Sequence, residues 1–171
     1  MKIIPVSLPN KKVSVPCYVD DDFYALHGHR RWRCKPDKRN FYADTKINGK
    51  KITMHRLVMG SVKGQIVDHI NQNGLDNRRE NLRHCTHREN AYNHKLSNNS
   101  TSGMCGVHWN KDLGKWEASI SSMGLAKRKQ RRIGFYNDKY EAARAWNKEA
   151  KKLYGDFAFQ NEIPGEGQEN L

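Results

Sequence analysis

Thirty residues near the middle of the chain, IVDHINQNGLDNRRENLRHCTHRENAYNHK from Ile66 to Lys95, leave little freedom of local structure. Two short runs, residues 66–70 and 81–85, read as strands. Between them Asn73-Gly74 and Asp76-Asn77 are turn formers, so the intervening stretch is an irregular loop. Thr86, with Glu89 three residues later, is the pattern in which two side chains satisfy each other's backbone N–H groups at a helix start. The spacing predicts strand, loop, strand, helix.

Asp68 and His69 close the first of these strands, and Asn90 lies in the expected helix. Hydrolysis of a phosphodiester needs a base to activate water, compensation of the charge that develops on the phosphate and leaving oxygen, and a frame that aligns them. A neutral histidine can take the proton near pH 7 because its unperturbed pKa is about 6.5, which makes His69 the candidate base. A hard cation such as Mg²⁺ or Mn²⁺ takes oxygen ligands and keeps several waters, so one or two protein oxygens suffice. Asp68 and Asn90 can supply them. Neighbouring strand residues point to opposite faces, so Asp68 and His69 converge only where the strand end twists or bends. His55, upstream, either reaches the site or serves as a packing or capping residue. His84, His87 and His94 are not separable by spacing from phosphate-contacting or plain surface residues. Asn71 and Asn77 read as turn formers rather than ligands.

Charge indicates what such a centre would act on. The chain has 31 Lys and Arg against 18 Asp and Glu, a formal net charge of +13, beyond the roughly 2–8 that keeps a small domain soluble. Nucleic acid is the expected partner. Residues 1–54 carry twelve Lys and Arg against five Asp, with Arg30, Arg31, Arg33, Lys35, Lys38 and Arg39 grouped around Trp32 and Phe41. Arg31 and Arg33 are candidate DNA-backbone contacts, the alternative being a solvated basic face. β-branched and aromatic runs in this region, with Asn48-Gly49 able to take positive φ at both central turn positions, predict a small antiparallel sheet. No stretch approaches the roughly 20 apolar residues of a membrane span, and the start MKIIPVSLPNKK lacks the apolar core of a secretory signal. A soluble, cytoplasmic protein is expected. Cys17, Cys34, Cys85 and Cys105 contain no C-x-x-C pair, which favours four reduced thiols over a zinc site or a disulfide framework.

Beyond the central segment, Lys95–Gly103 is polar and reads as a linker. Three β-like runs follow, residues 105–109, 116–122 and 131–135, and then Tyr140, Ala143, Ala145, Trp146, Ala150 and Leu153 recur at three- and four-residue spacing until Gly155. The tail after Asn161 is polar and rich in Gly and Glu. The expected fold class is α+β, in two domains at residues 1–95 (a β-rich part, 1–54, and a core, 55–95) and 104–161, joined by a linker at 96–103 and followed by a flexible tail at 162–171.

The central segment resembles the HNH, or ββα-metal, nucleases, in particular their phage and intron-encoded homing members. The resemblance rests on Asp68-His69, on Asn81 in ENLR twelve residues after His69, and on Asn90 in REN nine residues further; the string MHRLVMG, Met54 to Gly60, matches a short helix that precedes the core in phage members. It implies that His69 is the general base, that Asp68 and Asn90 bind the divalent metal, and that Asn81 holds the loop and helps orient the histidine. Many HNH enzymes have histidine where this chain has Asn90, so Mg²⁺ or Mn²⁺ is favoured over Zn²⁺ by ligand hardness. A phage-encoded protein acting in a bacterial cytoplasm is the implied setting. Gly103 to Asn161 resembles the AP2/ERF DNA-binding domain through SGMCGVHW, GKWEASI, RRIGFY, YEAARAWNKEA and YGDFAFQN. That family lays a three-stranded sheet backed by one helix into the major groove, which implies His108, Trp109, Asn110, Lys115, Arg131 and Arg132 as DNA contacts. Ala142, Ala143, Trp146 and Ala150 form the helix face against the sheet, and Trp116 is open between core and DNA. This chain lacks the arginines that plant members carry beside the Gly-Val pair and on the second strand, so base preference does not transfer. A monomer acting on double-stranded DNA is expected, one centre cutting one strand per encounter. The competing reading is a non-catalytic DNA-binding regulator that uses the second domain, with a structural zinc protein as a weaker third.

Overall fold

The computed structural model describes residues 1–9, 12–37, 40–93, 100–123 and 128–166, with the side chains of 122, 123, 128 and 129 left aside. Lys38 and Arg39 of the basic group, His94, and residues 95–99 of the expected linker lie outside the described residues. The chain is α+β and divides into two compact units, Met1–Ala91 and Tyr92–Leu171.

In the first unit the elements run β1 (Lys2–Ser7), β2 (Ser14–Val19), α1 (Asp21–His27), β3 (Arg33–Asp37), β4 (Asn40–Ile47), β5 (Lys50–Thr53), α2 (Met54–Val58), β6 (Ile66–His69), a 3₁₀ turn (Arg79–Asn81), β7 (Leu82–Cys85) and α3 (His87–Tyr92). The first five strands form one sheet in the order β2-β1-β3-β4-β5. Its pairs are antiparallel except one: β1 meets β3 in parallel through Ser7 and Arg33, a correction to the wholly antiparallel sheet expected from the sequence. Asn48 and Gly49 have φ of 49° and 75°, the double positive φ that a tight hairpin needs, and they set the β4–β5 register from Ile47–Lys50 to Asp44–Thr53. Ile4, Val6, Cys17, Val19, Phe23, Trp32, Cys34, Ala43 and Met54 are buried together on one side of this sheet. Trp32 donates its ring N–H to the His27 carbonyl at 3.0 Å, so the largest core side chain leaves no polar atom unsatisfied.

The second unit contains β8 (Val107–Asn110), β9 (Lys115–Met123), β10 (Arg128–Tyr136) and α4 (Lys139–Tyr154), an antiparallel sheet in the order β10-β9-β8 with one helix. Asp138 caps α4 by accepting from the backbone N–H groups of Tyr140 and Glu141. Ala142, Ala143, Trp146 and Ala150 are the buried face of the helix, and the small side chains of the three alanines let it close on β9. Gly106 lies under that face at φ +69°, where an added Cβ would fall 2.0 Å from Trp146 Nε1 and 2.6 Å from the Ser119 carbonyl. Neither backbone nor indole can move that far without repacking, so Gly106→Ala is expected to destabilise this unit by about 2 kcal/mol or more. Thermal unfolding of the variant checks it, and an unchanged midpoint would contradict the packing described.

Candidate functional site

β6 and β7 pair antiparallel, with Asp68 opposite Arg83 and His69 opposite Leu82. The loop between them has almost no apolar side chain to bury, so its order comes from hydrogen bonds. Asn81 makes most of the closure: its Oδ1 accepts from the Asn71 backbone N–H at 3.0 Å, while its Nδ2 donates to Asn71 Oδ1 at 2.9 Å and to the Asp76 carbonyl at 2.8 Å. Its own carbonyl takes the Ile70 N–H at 2.9 Å. Asp76 accepts from Asn71 Nδ2 at 2.9 Å and from Arg78 at 2.8 Å through each of two guanidinium nitrogens.

The closed loop is fastened to the large sheet. Tyr18 of β2 donates its N–H to the Leu75 carbonyl and accepts the Asn77 N–H, each at 2.8 Å. Arg79 grips Asp22 with two bonds of 2.8 Å, and its backbone N–H donates to Asp20 at 2.9 Å. Asn40 at the start of β4 donates to the Gln72 carbonyl at 2.9 Å. Gly74 passes so close to β4 that a Cβ there would stand 2.4 Å from the Phe41 carbonyl. On the far side, Thr86 and Glu89 exchange backbone N–H bonds of 2.7 and 3.2 Å at the start of α3.

This frame buries both Asp68 and His69, at 6% and 5% exposure. The Asp68 Oδ2 accepts from Arg83 Nε at 2.9 Å and Nη2 at 2.7 Å. Around the His69 ring stand Asn77, whose Oδ1 is 3.4 Å from Nε2, the ring of His55 with centroids 5.2 Å apart, and the ring of Tyr42 at 5.7 Å. Burial lowers the pKa of His69 below the ordinary histidine value, against the opposing pull of the Asn77 bond and the carboxylates of Asp68 and Asp76. His55 is pushed down to about 3, chiefly by burial and then by His69 and Arg56. Its Nε2 bonds Thr53 Oγ1 at 3.0 Å, and its buried Nδ1 lacks a partner among the described residues. Asn90 is exposed on α3, where its N–H bonds the Thr86 carbonyl at 3.0 Å. Asp68 and Asn90 are both oxygen donors of the kind a hard divalent ion takes, and among the described residues no group of three or more His, Cys, Asp or Glu gathers as a metal cluster.

Asn77, read from the sequence as a turn former, is fully buried and faces His69. Spacing gives no signal for this, because its burial depends on Cys17, sixty residues earlier. His55 stands against the His69 ring while bonding Thr53 at the start of α2.

In the first unit's basic region, His29, Arg30, Arg31, Arg33, Thr45 and Lys46 line a groove of about 580 Å³, and Arg33 is tied to the buried Asp44 at 2.9 Å. In the second unit Trp109 is 44% exposed with its ring edge-on to the partly buried Trp116. His108, Asn110 and Arg132 all turn to Glu117, at 3.5, 3.2 and 3.0 Å, and Arg131 pairs with Glu149 at 2.6 Å. Lys115 is exposed. All four cysteines are free thiols, and among the described residues no helix is long and apolar enough to cross a membrane.

Residues 52–92, which hold α2, the β6–β7 hairpin with its loop, and α3, match the HNH endonuclease family as a domain. Two viral relatives extend the likeness. The protein named Protein 3.8 of Escherichia phage T7 is 36% identical over 62 residues, covering 36% of this chain and 51% of that protein. An uncharacterized HNH endonuclease of Acanthamoeba polyphaga mimivirus is 30% identical over 119 residues, covering 66% of this chain and 59% of that protein. The chain thus spans between half and three fifths of the length of these relatives. No solved structure matches it.

Two outcomes follow from the geometry. Asn81→Ala removes the partner of the Asn71 N–H and of the carbonyl of the buried Asp76, and urea unfolding should show a loss of about 1–3 kcal/mol; a loss below about 0.5 kcal/mol would contradict the closure role. His55 is neutral in the folded protein, and unfolding returns its pKa to about 6.5. Between about 6.5 and about 3 the unfolded chain therefore binds the extra proton, so this contribution is complete above pH 6.5 and is lost as pH falls through that window. His55→Phe should flatten the acid side of the stability profile by roughly 2–3 kcal/mol near pH 4, and a profile as steep as wild type would show that the ring is not buried neutral.

Proposed function

We propose that this chain is a divalent-metal-dependent endonuclease that hydrolyses phosphodiester bonds of double-stranded DNA, with His69 as general base and Asp68 and Asn90 as the metal-binding residues. The observation that carries the reading is the burial of His69 beside Asp68, on a hairpin whose loop Asn81 closes, within the segment that matches HNH endonucleases. The desolvated ring of His69 is neutral at pH 7 and so able to take a proton from an attacking water. A bound Mg²⁺ or Mn²⁺ would stabilise negative charge on the phosphate and leaving oxygen. Arg83 holds the Asp68 carboxylate in place until then and limits its free rotation.

The second unit would grip the duplex. Its sheet with one helix, the exposed Trp109, and Lys115, Arg131 and Arg132 support an AP2-like mode in which His108, Trp109 and Asn110 reach base edges and the cations reach phosphates. Arg31 and Arg33 line a basic groove on the first unit suited to the DNA backbone. A phage-type homing enzyme, monomeric and nicking one strand per encounter, fits one centre and one gripping surface. The rival, a non-catalytic DNA-binding regulator, draws on the same Arg83–Asp68 pair, since a guanidinium on that carboxylate also suits a site that never takes metal.

Supercoiled plasmid in Mg²⁺ separates the two. Wild type should convert it to nicked circles, chelation should stop the reaction, and His69→Ala should slow it at least about a hundredfold. Equal conversion by both proteins, or none by either, contradicts the nuclease reading. Binding should weaken with salt at a log–log slope of about −0.9 per phosphate neutralised.

A further inference from the structure

The amide of Asn77 has one permitted orientation. Its Nδ2 lies 3.3 Å from the Gly74 carbonyl, which can only accept, so the nitrogen must face that way and the oxygen must face His69. On the same nitrogen, the second proton points to Cys17 Sγ at 3.2 Å. Cys17 can accept it because its own S–H is directed to Met54 Sδ, 3.4 Å away. Oδ1 is an acceptor, so the His69 nitrogen opposite it, Nε2 at 3.4 Å, must be the one that carries hydrogen. The donors thus run in one sense through the core: His69 to Asn77, Asn77 to Cys17, Cys17 to Met54.

From this network we infer that Asn77 is a positioning residue that holds His69 as the Nε2–H tautomer, placing the basic lone pair on Nδ1, the nitrogen that would take the proton of the attacking water. The inference rests on the reading of His69 as the base, and it adds which nitrogen does the work and what selects it. Neutral imidazole otherwise distributes its proton between both nitrogens, and a tautomer with Nδ1–H would have no lone pair to offer there. Asn77 is 0% exposed and its N–H is bonded to Tyr18 of β2, so the acceptor is immobile. The rings of Tyr42 and His55 also pack against His69, with centroids 5.7 and 5.2 Å away. The Cys17 thiol, raised by burial to about 12, stays protonated and keeps its place in the chain of donors.

The test is the ring ¹⁵N spectrum of the full chain, metal-free and at neutral pH, with the His69 signals assigned by their loss in His69→Gln. The expected pattern is a protonated Nε2 and an unprotonated Nδ1. The reverse pattern, or an even mixture, overturns the inference, and this measurement needs no change at Asn77. In Asn77→Leu, which keeps the branching and heavy-atom count but removes the acceptor, the tautomer preference should disappear. Its kcat for plasmid nicking should fall about ten- to a hundredfold with KM within about twofold, as for a misaligned catalytic group. A variant that folds and retains both the wild-type tautomer and kcat also overturns it. Should wild type cut no DNA, the nuclease reading fails, while the tautomer of His69 still decides for or against Asn77.

Discussion

The arrangement depends on a polar loop being made rigid without an apolar core. Between β6 and β7 the chain is rich in Asn, Asp and Gly, and such a segment is usually mobile because it has little surface worth burying. Here Asn81 closes the loop on Asn71 and Asp76, and Tyr18 pairs with its far side as if adding one rung to the sheet. Each bond contributes only about 1 kcal/mol, but together they fix the backbone on which Asp68 and His69 stand. The large sheet is therefore the support of the hairpin: its β2 edge, its α1 carboxylates and the start of β4 each hold a different part of the loop.

Rigidity of this kind lets the molecule keep groups in unfavourable surroundings. A buried imidazole pair, His55 against His69, costs stability through desolvation, and the Nδ1 of His55, unpartnered among the described residues, adds to that cost. A buried Asp68 is tolerable because Arg83 compensates it at close range. Sites where local stability is sacrificed in this way are commonly those where chemistry is done. The second unit differs: its helix face is a plain packing face of alanines and Trp146, and Trp109 is exposed on its sheet.

Much of this was legible in the residues where local chemistry decides. Asn48-Gly49 forces a tight hairpin whatever surrounds it, Thr86 and Glu89 cap each other across a single turn, and the alanine-rich face of α4 follows from helical periodicity. Elements set by distant packing were not. β1 contains Pro5, which spoils a strand pattern; in the sheet it falls opposite Pro16, so both missing N–H donors coincide at one rung. α1 is only seven residues long and carries too little periodicity to stand out, and the parallel contact of β1 with β3 has no sequence signature. In the candidate site, Asp68, His69, Asn81 and Asn90 stood out because together they resemble the HNH pattern laid over a strand, loop, strand, helix unit. Asn77 did not, because turn formation and buried hydrogen bonding demand the same residue, and only the contact with Cys17 distinguishes them.

In the proposed centre Asp68 and Asn90 would share one divalent ion beside His69. The most direct measurement is a crystal structure of the protein with duplex DNA and Ca²⁺, an ion that takes the same oxygen ligands. The expected result is a single ion bound by side-chain oxygens of Asp68 and Asn90 and by a phosphate oxygen, with the His69 ring facing that phosphate. A DNA-bound structure in which Arg83 still covers Asp68, and the ion or the phosphate lies elsewhere, would contradict it.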